Sequence, residues 1–215
     1  MSPLDRMYAE DVRHYRYDPD AAARLLDEAG WGNLAGGVRV NGAGVPLQFE
    51  IMTTAGDRTR ELVQQVLQSQ WKRAGIDVRI RNQPARVFFG DTVSRRRFSA
   101  MAMFAWISAP ESVPRTTLHS NEIPTMANGW AGQNYGGFRN AEVDALIDGI
   151  EVELDESKRR ELWRKLQAIY AEELPSLPLF FRANAFVLPR WLKGLVATGH
   201  QYPTTLWAED WSVAE

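Results

Sequence analysis

Three histidines are the first residues to test for chemistry, and their spacing offers none. His14, His119 and His200 are far apart, and none lies in a metal-ligand spacing such as two histidines four apart on a helix, so each reads as a surface or loop histidine. The chain has no cysteine, which excludes thiolate metal sites, disulfides and cysteine nucleophiles. There is no Gly-x-Ser-x-Gly elbow, phosphate-cradling loop or dinucleotide fingerprint; the glycines at 36, 37, 42 and 44 have a hairpin context. The carboxylate pairs Glu172-Glu173 and Glu151 with Glu153 fall on polar helix faces and read as solvated charge. An enzyme would have to be assembled from distant residues, such as His119 with Ser112 or Ser120, and would need a histidine buried beside a nucleophile. No catalytic residue, metal or cofactor is expected.

The aromatic supply points to binding instead. Of eight tryptophans, Trp71 and Trp163 sit on helical core stripes, whereas Trp106 and Trp130 lie at a strand exit and within a long loop, where rigid apolar surfaces suit a cleft. Composition agrees with an ordinary globular protein: 215 residues, 45% hydrophobic and 24% charged, enough to bury roughly 70% of the unfolded surface. A net charge of -2 with interspersed signs leaves no footprint for nucleic acid. The one compact basic run, Arg95-Arg96-Arg97, is expected to complement the negative end of a helix. The longest apolar run, Phe98 to Ile107, is about half the length that spans a bilayer. Met1 to Glu10 is polar and charged, unlike a secretion signal, which taken alone favours a cytoplasmic protein.

The elements that must position these residues follow from caps and periodicity. Asp18 caps a helix opened by Pro19 and stopped at Gly30; Asn41-Gly42 predicts a hairpin turn after Val38 to Val40. Leu47, Phe49 and Ile51 alternate as a strand. Asp57 caps a helix with Leu62, Val63, Val66, Leu67, Trp71 and Ala74 on its apolar stripe, ended by Gly75. Ile76, Val78 and Ile80 form a second strand, Pro84 opens another helix, and Phe98 to Trp106 reads as a central strand covered on both faces. This order predicts parallel pairing through right-handed crossovers. Residues 107–139 form a long irregular segment, where a site is expected. Asn140 caps a helix with Val143, Leu146, Ile147, Ile150 and Leu154 on its stripe. A second helix runs from about Glu156 to Leu174, then Leu177 to Val187 reads as a strand pair and Trp191 to Glu215 as an aromatic tail.

Four segments in order carry a resemblance: Tyr17 to Trp31 (YDPDAAARLLDEAGW), Trp71 to Val78 (WKRAGIDV), Asn134 to Asp144 (NYGGFRNAEVD) and Leu174 to Leu179 (LPSLPL). Together they resemble the dipeptide, oligopeptide and nickel solute-binding proteins, family 5. The resemblance implies a periplasmic binding protein type II-like C-terminal lobe: α/β, with a βαβαβ core and a mixed sheet flanked by helices. It implies a longer, exported, periplasmic parent whose lobes close on a ligand, working with ABC transporter permease subunits. Residues 1–16 would be an N-terminal hinge, 17–195 the lobe, and 196–215 a segment packing on the N-terminal lobe of the same parent. Without that lobe, Tyr202, Leu206, Trp207 and Trp211 would be exposed and the fragment prone to self-association. Half a cleft would also bind too weakly to measure.

The expected function is capture of a peptide-like or other small polar solute for a membrane permease, the rivals being an intracellular α/β enzyme and a module whose tail binds a partner protein. The expected ligand contacts are Trp106 as cover, Ser108 and Asn134 as hydrogen-bonding groups, Tyr135 as a wall and Arg115 as partner to an acidic group. Peptide-binding relatives carry an aspartate three residues after an aromatic one, pairing with the ligand's amino terminus. Here Trp106-Ile107-Ser108 ends in Ala109, and Glu111, after Pro110, is expected to remain solvated.

Overall fold

A computed structural model describes residues 1–183, 185–197 and 204–214, so His200 and Tyr202 lie outside the described residues. The chain divides into two compact units interleaved along the sequence: a sheet unit, His14–Ala105 with Ser120–Phe138, and a helix-pair unit, Met1–Arg13 with Trp106–His119 and Arg139–Glu215.

The sheet unit opens with α1 (Pro19–Glu28), whose first turn is capped by the Asp18 carboxylate accepting from Ala21 N–H at 2.8 Å. Strands β1 (Asn33–Ala35) and β2 (Val38–Val40) then form a hairpin turning at Gly36-Gly37, both with positive φ. The expected turn at Asn41-Gly42 is instead a second, looser reversal. Asn41 Oδ1 accepts from Ala43 and Val45 N–H at 3.0 and 2.9 Å, and the positive φ falls on Gly44.

Strand β3 (Gln48–Met52), helix α2 (Arg58–Arg73) and strand β4 (Asp77–Ile80) make a parallel βαβ unit, and β5 (Met101–Ala102) pairs parallel with the other edge of β3. The order β4-β3-β5 makes β3 central, not the Phe98 to Trp106 segment. That segment gives two strand residues, extended by a backbone bond from Met103 N–H to the Met52 carbonyl at 2.7 Å. Its apolar residues go into packing rather than a ladder: Phe98, Ala102 and Phe104 lie against buried Met52, Phe88 and Val93.

Helix α2 is also turned from expectation, since Leu62 and Val66 are exposed while Gln64 is fully buried. Gln64 and Gln68, one turn apart, donate to the carbonyls of Ile51 and Val78 at 3.3 and 2.7 Å, and Trp71 meets Phe49 edge-on at 5.5 Å. Helix α3 (Ala85–Val87), entered through Pro84, continues as a π-helical turn, Phe88–Val93. The three arginines follow its end as expected, but Arg95 and Arg97 pair with Asp91 and Arg96 turns away with φ +54°.

The helix-pair unit holds α4 (Arg115–Leu118), α5 (Ala141–Val152) and α6 (Glu156–Glu173). Asn140 Oδ1 caps α5, accepting from Glu142 and Val143 N–H at 2.9 and 3.1 Å. Helices α5 and α6 pack together, with Val143, Leu146, Ile147, Ile150, Trp163 and Leu166 all buried. Leu154, expected on the stripe, lies past the end of α5 and is exposed. The first residues belong to this unit because Gln167 grips their backbone, accepting from Ala9 N–H at 3.1 Å and donating to the Met7 carbonyl at 2.8 Å.

The strand pair expected over Leu177 to Val187 is absent among the described residues, and Leu177, Phe180, Phe181 and Val187 are exposed. Pro175 and Pro178 remove ladder donors at its start. Instead β6 (Leu192–Lys193) pairs antiparallel with β7 (Ser212–Val213). Among the described residues no helix is long and apolar enough to cross a membrane.

Candidate functional site

In the sheet unit the chain leaves β3 for β4 on one side and returns to β5 on the other, so the sheet switches direction at the carboxyl end of β3, where α/β sheets bind ligands. Polar side chains lock that edge. Thr53 N–H donates to Asn82 Oδ1 at 3.1 Å and its hydroxyl to the Met103 carbonyl at 2.7 Å. Thr54 Oγ1 accepts from Arg60 at 2.9 Å, and the Thr92 hydroxyl donates to Gln83 Oε1 at 2.6 Å. None of these was singled out from sequence. The signal, two threonines ending an alternating strand, acquires meaning only once the strand order is known.

Tyr135 belongs to the same unit. It meets Phe104 edge-on at 6.2 Å, and Phe104 meets Phe88 and Phe89 at 6.1 and 5.7 Å. Partial burial pushes the Tyr135 phenol above its ordinary pKa. Asn134, expected to offer hydrogen bonds to a ligand, spends its amide on the chain: Nδ2 donates to the Phe138 carbonyl and Oδ1 accepts from Phe138 N–H, both at 2.9 Å, with the residue 1% exposed. Gly137 has φ +73°, and a Cβ there would overlap the Arg96 guanidinium, which donates to the Tyr135 carbonyl at 3.0 Å. The Asn134 to Phe138 motif is therefore a self-closing loop. A groove of about 360 Å³ elsewhere in the unit is lined by Gln48, Glu50, Arg79, Arg81 and Ser99 and includes none of the expected contacts.

In the helix-pair unit, Trp106, Ile107 and Ser108 are exposed, Trp106 at 52% and Ile107 at 71%. The segment ends in a turn closed by Ser112 N–H to the Ala109 carbonyl at 3.2 Å. Glu111, expected to be solvated, is ion-paired with Arg6 at 2.9 Å and Arg159 at 3.3 Å. Arg115 is likewise taken up inside the chain: it binds the Glu151 carboxylate at 2.8 and 2.9 Å and also Asp148, both on α5. These bonds hold both carboxyls below their ordinary pKa and raise that of Arg115. Glu151 is thus a paired charge and not a solvated one. His119 is a correction too. It is buried, with Nδ1 3.7 Å from Asp144 and Nε2 3.6 Å from Asp148.

The five expected contacts therefore divide: Trp106, Ser108 and Arg115 in the helix-pair unit, Asn134 and Tyr135 in the sheet unit. Trp106 and Ser108 are exposed, Tyr135 stands among aromatic rings of the sheet unit, and the Asn134 amide and the Arg115 guanidinium bond to the chain's own groups. Among the described residues no group of acidic and histidine side chains has the geometry to hold a metal ion.

The family profile described as bacterial extracellular solute-binding proteins, family 5 Middle, matches residues 2–124. The chain belongs to this family. Family 5 is a family of binding proteins and not of enzymes, and the expected type II α/β architecture is borne out by its solved members. The chain is similar to the oligopeptide-binding protein of Thermus thermophilus, solved with a pentapeptide, at 35% identity and a TM-score of 0.82, covering 95% of this chain and 37% of that one. It is similar to the oligopeptide-binding protein AppA of Bacillus subtilis (strain 168), 27% identical over 200 residues, 90% of this chain and 35% of AppA. NikZ of Campylobacter jejuni, solved with Ni(L-His), shares the fold at a TM-score of 0.74 with 19% identity, covering 96% of this chain and 41% of that one. The chain thus spans about a third of the length of the curated relatives it matches.

Proposed function

We propose that this chain is the C-terminal portion of an extracytoplasmic solute-binding protein that captures a small polar or peptide-like solute and delivers it to the permease of an ABC importer. Membership of family 5 supports the class. The observation that carries the reading is the Trp106-Ile107-Ser108 segment, exposed while the turn behind it is pinned by ion pairs. Trp106 covers the solute and Ser108 bonds to it. Residues 196–215 pack on the first lobe of the parent, a role supported by exposed Val196, Leu206 and Trp207.

The solute does not depend on a free α-amino group. An ammonium buried without a carboxylate costs several kcal/mol, Ala109 supplies no acid, and Glu111 is already neutralised by Arg6 and Arg159. Calorimetry on the full-length protein with trialanine and acetyl-trialanine tests this, with affinities expected within about threefold of each other. Tight binding of the free amine, abolished by acetylation, would refute it.

A further inference from the structure

The turn behind the exposed segment has a residue in the wrong place for its type. In Ala109-Pro110-Glu111-Ser112, proline stands second, as such turns favour, but the third residue has φ +54°, a left-handed conformation that normally selects glycine or asparagine. Glu111 occupies it with its N–H and both carboxylate oxygens engaged. Its N–H donates to Asp5 Oδ2 at 3.0 Å, Oε1 takes Arg6 at 2.9 Å and Oε2 takes Arg159 at 3.3 Å. The partners are themselves fixed. Asp5 Oδ1 accepts from Met7 N–H at 2.9 Å, Met7 is buried, and the Gln167 grip holds Met7 and Ala9 against α6. A strained non-glycine residue persists where surrounding contacts over-determine it, and such residues cluster where geometry matters for binding.

We propose that Glu111 is a positioning residue: it fixes the Trp106–Ser108 segment by tying the turn at its foot to the N-terminal segment and to α6. The inference rests on reading that segment as ligand contact. Glycine would suit the backbone better, so the carboxylate is what this position keeps at the expense of strain. In this account the carboxylate sets where Trp106 stands before any ligand arrives, and never touches the ligand.

The test uses the full-length protein labelled with fluorotryptophan, the Trp106 fluorine resonance being assigned by Trp106→Phe and Trp71 in the sheet unit serving as the folding control. Glu111→Gln and Glu111→Gly should both shift and sharpen the Trp106 line while leaving Trp71 unmoved, whereas Arg6→Lys should keep the wild-type line. Acetyl-trialanine should bind about tenfold more weakly to both Glu111 variants, a loss of about 1.4 kcal/mol. A Trp106 line unchanged in both variants overturns the proposal, and so does a glycine variant that behaves as wild type, because the turn alone would then suffice. If the line moves while affinity does not, Glu111 positions the segment as proposed and the reading of the segment as ligand contact fails.

Discussion

The Asn134 to Phe138 loop and the Trp106 to Ala109 segment look alike in sequence: each is short, irregular and aromatic. They differ in where their polar groups go. Asn134 returns both ends of its amide to Phe138 and is buried, whereas Ser108 is exposed, with neither helix nor strand over residues 103–109. A polar residue whose hydrogen bonds are already spent on its own loop is scaffold, and an exposed one above a braced turn is available to a partner. Arg115 belongs with the first kind and Ser108 with the second.

Asn134→Ala should have the largest effect, about 1 to 2 kcal/mol of stability, because it strands the part-buried N–H and carbonyl of Phe138. Asn134→Asp should recover part of this by keeping the acceptor. Urea unfolding checks both, and an alanine variant as stable as wild type would dissolve the distinction between the loops. Trp106→Ala should do the opposite, moving stability by under about 0.5 kcal/mol while lowering solute affinity roughly 10- to 100-fold. Loss of stability without loss of affinity would make Trp106 scaffold too.

The smallest effect is expected at Arg115→Leu, and its pH dependence sharpens the contrast. Asp148 and Glu151 have folded pKa values held down mainly by hydrogen bonds from Arg115, so they add stability above the unfolded carboxylate value of about 4 and lose it as pH falls through their lower folded values. The stability gap between wild type and Arg115→Leu should therefore be open at neutral pH and close in acid. A gap constant from about pH 7 down to about pH 2, by the same urea titration, would mean that Arg115 acts through packing and not through these ion pairs.

Much of the fold could be read locally. Asp18, Asp57 and Asn140 cap the helices that their types and positions predict, because a cap is decided within three or four residues. What depends on distant partners could not be read. Nothing in Phe98 to Trp106 says that the run contributes two rungs and then packs its aromatic rings, and nothing in α2 says that two glutamines face the sheet while Leu62 and Val66 do not. The exposure of Ser108 follows from its place in the irregular segment, and that of Trp106 from its place at the strand exit. The roles of Arg115 and Glu111 were not legible, since each is settled by partners far along the chain in its own unit.

Thr53 has a consequence for the time course of folding. It bonds to Asn82, 29 residues away, and to Met103, 50 residues away, so one residue closes both loops of the sheet. Loop-closure entropy grows only slowly with length, so the number of rungs gained separates the two closures more than distance does: four aligned pairs for β4 against two for β5. The β3-α2-β4 crossover should thus be the nucleus and β5 its late addition. Amide exchange should find Met103 opening well before Arg81, whose N–H donates to the Ile51 carbonyl within the earlier pair.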